Sequence, residues 1–443
     1  MSEYKGIEFL RNKLAQKRGR IDLRYRFYEM KHFAKDMEIS TPPKLRGWMS
    51  SFGWCGKAVD SLADRLVLRG FENDTYGMSD IYLMNNLDVL ADSAVLGALI
   101  CACSFIYISQ DDSGFPQMRA VDGRDATGVI DPITNMLTEG YAVLESDKMT
   151  GRPKTEVYLL PYESRLYEDG KHVSTFRHPA PYPLLVPVIY RPDAKRPFGH
   201  SRISRACMDY QNSAARTVKR SEIAAEFYSY PQKYILGVND SQYDAITESK
   251  FKTYVGSIIA ATTNYETGEK PTFGQLLQGS LSPHVEMLRI LATQFSAATG
   301  LTVTDTGVVN DANPTSSDAI LAQSQTLVSM AEQLNARNGA SLRNIALMAL
   351  AIANNTTIEK LTDTQKNIVA HFKNPAMPSV AVTADAAIKI ASVRPEFAGT
   401  DIFLEMIGFG QADIRRVKAQ EQRERGLQVL NEVAYEDNGQ GVE

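Results

Sequence analysis

From Thr315 to Ala353 the sequence contains no proline and a single glycine, Gly339. Nothing there interrupts an α-helix, and about 38 residues at ~1.5 Å each make a rod on the order of 57 Å. That is longer than the usual globular helix of roughly 8–20 residues. Thr315-Ser316-Ser317-Asp318 supplies capping-box spacing at its start. The loop before it, TVTDTGVVNDANP, carries Gly307, Asn310-Asp311 and Asn313-Pro314, residue types that set turns.

The two sides of this rod differ. Ile320, Leu327, Val328, Met330, Leu334, Leu342, Ile345 and Met348 recur at helical spacing and predict a packing face. Gln323, Ser324, Gln325, Ser329, Glu332, Gln333 and Asn335 predict an opposite side that is polar and nearly uncharged. A solvated coiled-coil flank would alternate Glu and Lys, and a helix gripping DNA would carry Lys and Arg. Two readings stay open: a core helix with a solvated face, or a helix lining something that must slide past without sticking.

The length of 443 residues allows two to four packed units. A formal net charge of −4 and 44% hydrophobic residues exclude a globally basic nucleic-acid binder. The start, Met1-Ser2-Glu3-Tyr4-Lys5, predicts no signal peptide. The most apolar run, Ala94 to Ile108, falls short of the ~20 residues a spanning helix needs, so no membrane association is expected. Cys55, Cys101, Cys103 and Cys207 lack metal-ligand spacing and read as reduced, buried, small hydrophobes, with Cys101 and Cys103 on one face of a strand.

Along the chain, residues 5–38 predict a basic helix, either a polyanion-binding arm or a face that docks to a neighbour. Helices are expected from Trp54 to Leu68 and from Asp80 to Gly97, then a strand Cys101–Ser109. Turn residues at Asp112-Ser113-Gly114, Asp122-Gly123, Asp131-Pro132, Thr150-Gly151 and Asp169-Gly170 punctuate an antiparallel meander ending in the strand Leu185–Tyr190. Asp122, Asp125 and Asp131 lack calcium-loop order and read as turn chemistry. Gly199-His200-Ser201 predicts a turn and cap for a helix reaching about Tyr228. A mixed insert follows, with strands near 233–237 and 257–262 around a helix near 241–254. Pro283 to Thr299 is helical, Ile368–Phe372 a strand, and 383–393, 400–407 and 411–433 helices.

Catalytic motifs are missing. There is no phosphate loop, no G-x-G-x-x-G after a strand, no H-E-x-x-H and no G-x-S-x-G elbow. The six histidines are scattered singly. The chain is expected not to be an enzyme and to need no cofactor or metal.

Three stretches taken together carry a resemblance: LADSAVLGALICACSFIYIS, VPVIYRPDAKRPFGHSRISR, and TGLTVTDTGVVNDANPTSSDAILAQSQTLVSMAEQ with its N-P-x-S-x-x-A-I junction. In this order the chain resembles the portal (head–tail connector) proteins of tailed bacteriophages, of the siphophage type. The resemblance implies an α+β portal fold. Its parts would be an α/β wing (1–197), a first stem helix (198–228), a small α/β clip (229–282) and a second stem helix (283–299). A tunnel loop (300–315), a long tunnel helix (316–353), a return to the wing (354–380) and a helical crown (381–443) would follow. It implies a homo-oligomeric ring, usually of twelve subunits, at one capsid vertex of the virion, assembled in the host cytoplasm. Double-stranded DNA would pass through its channel. Terminase and later the head–tail adaptor would dock at the clip, and the major capsid and scaffolding proteins would be further partners.

On that basis Thr302, Asp305, Asn310, Asp311, Asn313, Gln323, Gln325 and Ser329 are the expected channel residues. Asp305 and Asp311 would repeat as negative rings. Tyr230, Tyr234, Tyr243 and Tyr254 are the expected clip contacts. The alternative is another phage structural protein, a minor capsid or adaptor component without a DNA channel. A cytosolic nucleic-acid enzyme ranks last.

Overall fold

A 22-residue helix, α1 (Ile7–Tyr28), explains why its basic residues do not make an arm. The computed structural model describes residues 4–35, 47, 50–72, 77–147, 149–229, 233–237, 263, 268, 270–275, 279–308, 317–376, 380–409, 413–414 and 416–427. Within it α1 lies on a five-stranded antiparallel meander, in the order β4 (Ala126–Ile130), β5 (Leu137–Ser146), β6 (Pro153–Leu160), β7 (Glu163–Glu168) and β8 (Lys171–Arg177). Leu10 and Leu14 pack with Tyr141, Val143, Tyr158 and Leu160 in a separate apolar cluster.

Around this cluster the cations point inward. Lys13 Nζ donates to the carbonyl of Gly128 at 2.7 Å and Lys17 Nζ to that of Ala126 at 2.8 Å. Arg11 pairs with the buried Glu156, which also accepts from the Tyr141 hydroxyl. Buried Glu139 accepts from the backbone N–H groups of Lys5 and Gly6. Burial, aided by repulsion from Lys17 and Lys5, lowers the Lys13 amine to about 8. The neighbour to which this basic helix docks is the chain's own sheet.

The main core is built on α4 (Leu87–Cys101), most of whose residues are buried. It packs against β2 (Cys103–Gln110), the centre of a three-stranded sheet with β3 (Pro116–Val121) and β9 (Leu185–Ile189). The expected single helix over 80–97 is two helices, α3 (Met78–Met84) and α4, bent by 69° at Asn86, whose φ is 47°. Asparagine tolerates that left-handed backbone. A second correction concerns the cysteines. Cys101 ends α4 and Cys103 starts β2, because the chain reverses at Ala102 with φ 90°. All four cysteines are free and buried. Turn chemistry is confirmed where it was expected: Asp131 accepts from the Ile133 N–H and the Thr134 hydroxyl.

The helix expected over 54–68 stops early, as α2 (Trp54–Ala63), because Leu68–Glu72 is drawn into a strand, β1. Its antiparallel partner is β12 (Val369–Phe372), with Phe71 opposite Ala370. A pairing across some 300 residues has no local signal, so only the folded core reveals it. The strand at 185–189 leads through residues 190–204 into α5 (Arg205–Ser229). The cap is Ser204, whose hydroxyl accepts from the Cys207 N–H at 3.2 Å, not Ser201. In the insert, β10 (Lys233–Leu236) pairs with β11 (Thr272–Gln275). The strand near 257–262 and the helix near 241–254 lie outside the described residues.

α6 (Ser282–Thr299) packs along α5, and α7 (Ser317–Ala353) is the long helix, 37 residues with no break. Its C-terminal half closes the core: Leu342, Ile345, Ala346, Met348 and Ala349 are all buried, facing β9 and β12. A short helix, α8 (Asp363–Lys366), opens on a capping box at Thr362 and Gln365. After β12 come α9 (Val380–Val393) and α10 (Asp401–Ile407), which pack on each other, with Phe397 of the turn between them set edge-on against Phe403 of α10, and 416–427 is also helical. Helices and antiparallel sheets are segregated along the chain, which makes the fold α+β. Among the described residues no single helix is long and apolar enough to cross a membrane.

Candidate functional site

The corner where α6 turns into α7 is held more firmly than its loop-like sequence implies. α6 ends at Gly300, in the left-handed region at φ 72°, and its N–H returns to the Ser296 carbonyl at 2.8 Å. A Cβ on Gly300 would also lie 2.5 Å from Met330 Cε of α7, the movable end of a flexible side chain, so it is the left-handed backbone that calls for glycine. Thr304–Thr306 forms a 3-10 turn closed by Gly307 at φ 76°. Leu301 is buried, and Val303 and Val308 pack against the main core.

Two side chains from distant parts of the chain grip this corner. Trp54 of α2 donates its indole N–H to the Thr306 carbonyl at 2.9 Å, with its ring 5.2 Å from Phe295. Arg202, only 6% exposed, donates to the carbonyls of Thr299 (2.8 Å) and Ala58 (2.9 Å) and to the Tyr190 hydroxyl (3.3 Å). A cation at the C-terminal carbonyl of α6 also complements that helix's dipole. Arg202 therefore ties α2, β9's exit and α6 together. Neither residue stood out in the sequence. Arg202 sits among four other cations between 202 and 220, and only its place between the turn at Gly199 and apolar Ile203 distinguishes it.

The expected channel residues are placed as follows. Thr302 and Asp305 are brought together: Asp305 Oδ2 accepts from the Thr302 N–H at 2.9 Å and its hydroxyl at 2.8 Å. That carboxylate closes its own turn. Asp305→Asn, which keeps an acceptor oxygen, is expected to change stability by less than ~0.5 kcal/mol, whereas Asp305→Ala should cost about 1 kcal/mol, as loss of a helix cap does. Urea unfolding of the two variants separates them.

Asn310, Asp311 and Asn313 lie outside the described residues. Gln323 and Gln325 are exposed on α7 and Ser329 is half-buried. The polar side of α7 needs two corrections. Asn335 is buried, as is its neighbour on the next turn, Asn338. The exposed stripe continues through Glu332, Gln333, Ala336 and Arg337, so it is uncharged near its N-terminal half and mixed beyond.

Of the clip tyrosines, Tyr234 is 43% exposed, and its ring lies across Gly274 of the paired strand, in the space a Cβ would fill. Tyr230, Tyr243 and Tyr254 lie outside the described residues. Among the described residues no group of three His, Cys, Asp or Glu side chains is arranged to hold a metal ion.

No protein-family model matches the chain. It is 24% identical over 386 residues to the portal protein of Mycobacterium phage L5, covering 82% of this chain and 77% of that protein. The portal protein of Mycobacterium phage D29 is 25% identical over 393 residues, with the same coverage. Among solved structures, a chain from the neck of an empty GTA particle computed with C6 symmetry superposes with TM-score 0.47 and 12% identity, over 77% of this chain and 86% of that one. A chain from the neck of a native GTA particle computed with C12 symmetry gives 0.46 and 13%, over 80% and 89%. Over 82% of its length this chain is a homologue of those two mycobacteriophage portal proteins.

Proposed function

We propose that the chain is the repeating subunit of a closed ring at one capsid vertex of a phage particle. Double-stranded DNA enters and leaves through its central channel. The observation that carries this reading is α7, buried along one side and exposing Gln323 and Gln325 beside half-buried Ser329 on the other. Each Lys or Arg contact to phosphate gains affinity through counterion release and would brake a sliding duplex. Amides and hydroxyls do not. Homology to portal proteins over 82% of the chain supports the same reading.

In this ring residues 1–197 form the wing, 198–228 and 283–299 the stem, and 229–282 the clip. The loop 300–315 and helix 316–353 line the channel, 354–380 return to the wing, and 381–443 form the crown. Twelve copies is the expected number. Terminase and then the head–tail adaptor dock on the clip, where half-exposed Tyr234 is the described candidate contact. The major capsid and scaffolding proteins surround the ring during assembly in the host cytoplasm. No reaction is assigned to the chain itself.

Native mass spectrometry and negative-stain imaging of the purified protein test the ring. Closed rings with a central hole are expected. Monomer or dimer alone, at every protein and salt concentration, overturns the reading in favour of a phage structural component without a channel. Asp311→Lys tests the channel lining separately, since Asp305 has a structural duty of its own. It should leave rings intact and reduce DNA packaging, with the defect eased by salt over a Debye length of roughly 8–10 Å.

A further inference from the structure

His371 of β12 presents both ring nitrogens to carboxylates from two different elements. Nδ1 lies 2.9 Å from Glu72 Oε1 on β1, and Nε2 lies 3.3 Å from Glu405 Oε2 on α10. A neutral imidazole has one N–H and one lone pair, so it donates to one carboxylate and turns its lone pair on the other. The imidazolium donates to both. This placement is therefore the one that suits the doubly protonated ring, and the side chain is partly exposed, with protons free to reach it.

The contact joins two parts of the fold. The β1–β12 pair belongs to the body, since Phe372 lies against Gly339 of α7, 3.6 Å from where a Cβ there would sit. The C-terminal helices form a unit of their own, α9 and α10 packing on each other and Lys418 pairing with Asp401 at 2.5 Å. Glu405 extends from that unit to His371.

We propose that His371 is a protonation-dependent latch that clamps the C-terminal helical unit, residues 380–407, to the β1–β12 pair. The latch is closed while the ring is an imidazolium and loosens when it loses its proton. The charged groups facing it are Glu72 from β1 and Glu405 from α10. Lys373 follows the end of its strand, and from α7 Arg343 is held by the Lys366 carbonyl at 2.7 Å. The sign follows directly. Docking is present while the ring carries both protons and weakens once one is lost. The inference does not rest on the ring reading, because it concerns contacts within one chain.

Hydrogen exchange of the full-length protein tests it, at about pH 5 and about pH 8, the span over which histidine side chains change charge. Rates are corrected for intrinsic chemistry, and α4–β2 peptides serve as the internal control. Peptides from 380–407 should lose about fivefold protection at the higher pH, the size of a partly exposed ion pair. His371→Gln and Glu405→Gln should show the less protected behaviour at both values, with the control peptides unchanged. Equal protection of the wild type at both pH values overturns the latch. So does a pH response that survives intact in either variant.

Discussion

Replacing Arg202 by methionine should cost the folded chain about 3 kcal/mol. Methionine keeps much of the volume and removes the charge. What it leaves behind is the Thr299 carbonyl at the end of α6, 2.8 Å from a donor that no longer exists, in a site only 6% exposed, while the Ala58 carbonyl inside α2 loses a second bond of 2.9 Å. Each unpaired buried acceptor costs roughly 1–3 kcal/mol. The cost of keeping a guanidinium out of water is recovered, which holds the net below the sum. Arg202→Lys is not a conservative change here. One ammonium on a flexible stem cannot reach three acceptors on three elements, so about 2 kcal/mol should still be lost. Urea unfolding followed by tryptophan fluorescence measures both variants. A loss under ~1 kcal/mol for the methionine variant would show that the three acceptors find other donors, and the keystone role would fail.

Trp54 should give the second large effect, and it separates packing from anchoring. Trp54→Ala removes a side chain only 5% exposed, set between Phe52 and Phe295, and should cost about 3–5 kcal/mol as a large core deletion. Trp54→Phe keeps most of the apolar area and loses the indole N–H that holds the Thr306 carbonyl. Its stability cost should be nearer 1 kcal/mol. Its local effect should be larger, because residues 302–308 lose a tie to α2 and fall back on Leu301, Val303 and Val308. Hydrogen exchange at 302–308 should rise several-fold while α2 stays protected. Unchanged exchange in that segment would mean the apolar contacts alone hold the turn.

The sequence by itself determined whatever rests on local chemistry. A stretch without proline and with one glycine made α7 legible to within a residue of Ser317–Ala353. Turn residues at short intervals marked out β4 to β8, because a meander pairs each strand with the next one in the chain. The relation to portal proteins was legible too, since it rests on the order of parts and not on one motif.

Only the tertiary structure decided which polar groups face inward. The lysines of α1 lie on carbonyls of β4 and Arg202 lies on those of Thr299 and Ala58, yet each reads as solvent-facing in one dimension. The physical reason is that a buried polar group is chosen by its partner, and the partners lie far along the chain. Gly128 is 115 residues from Lys13, and Ala58 is 144 from Arg202. The pairing of β1 with β12 fails the local test for the same cause: Phe71 meets Ala370 because β1 packs on α4 and β12 on α7. Periodicity reports which face of an element is apolar. Which distant acceptor waits for a given cation is set by packing alone.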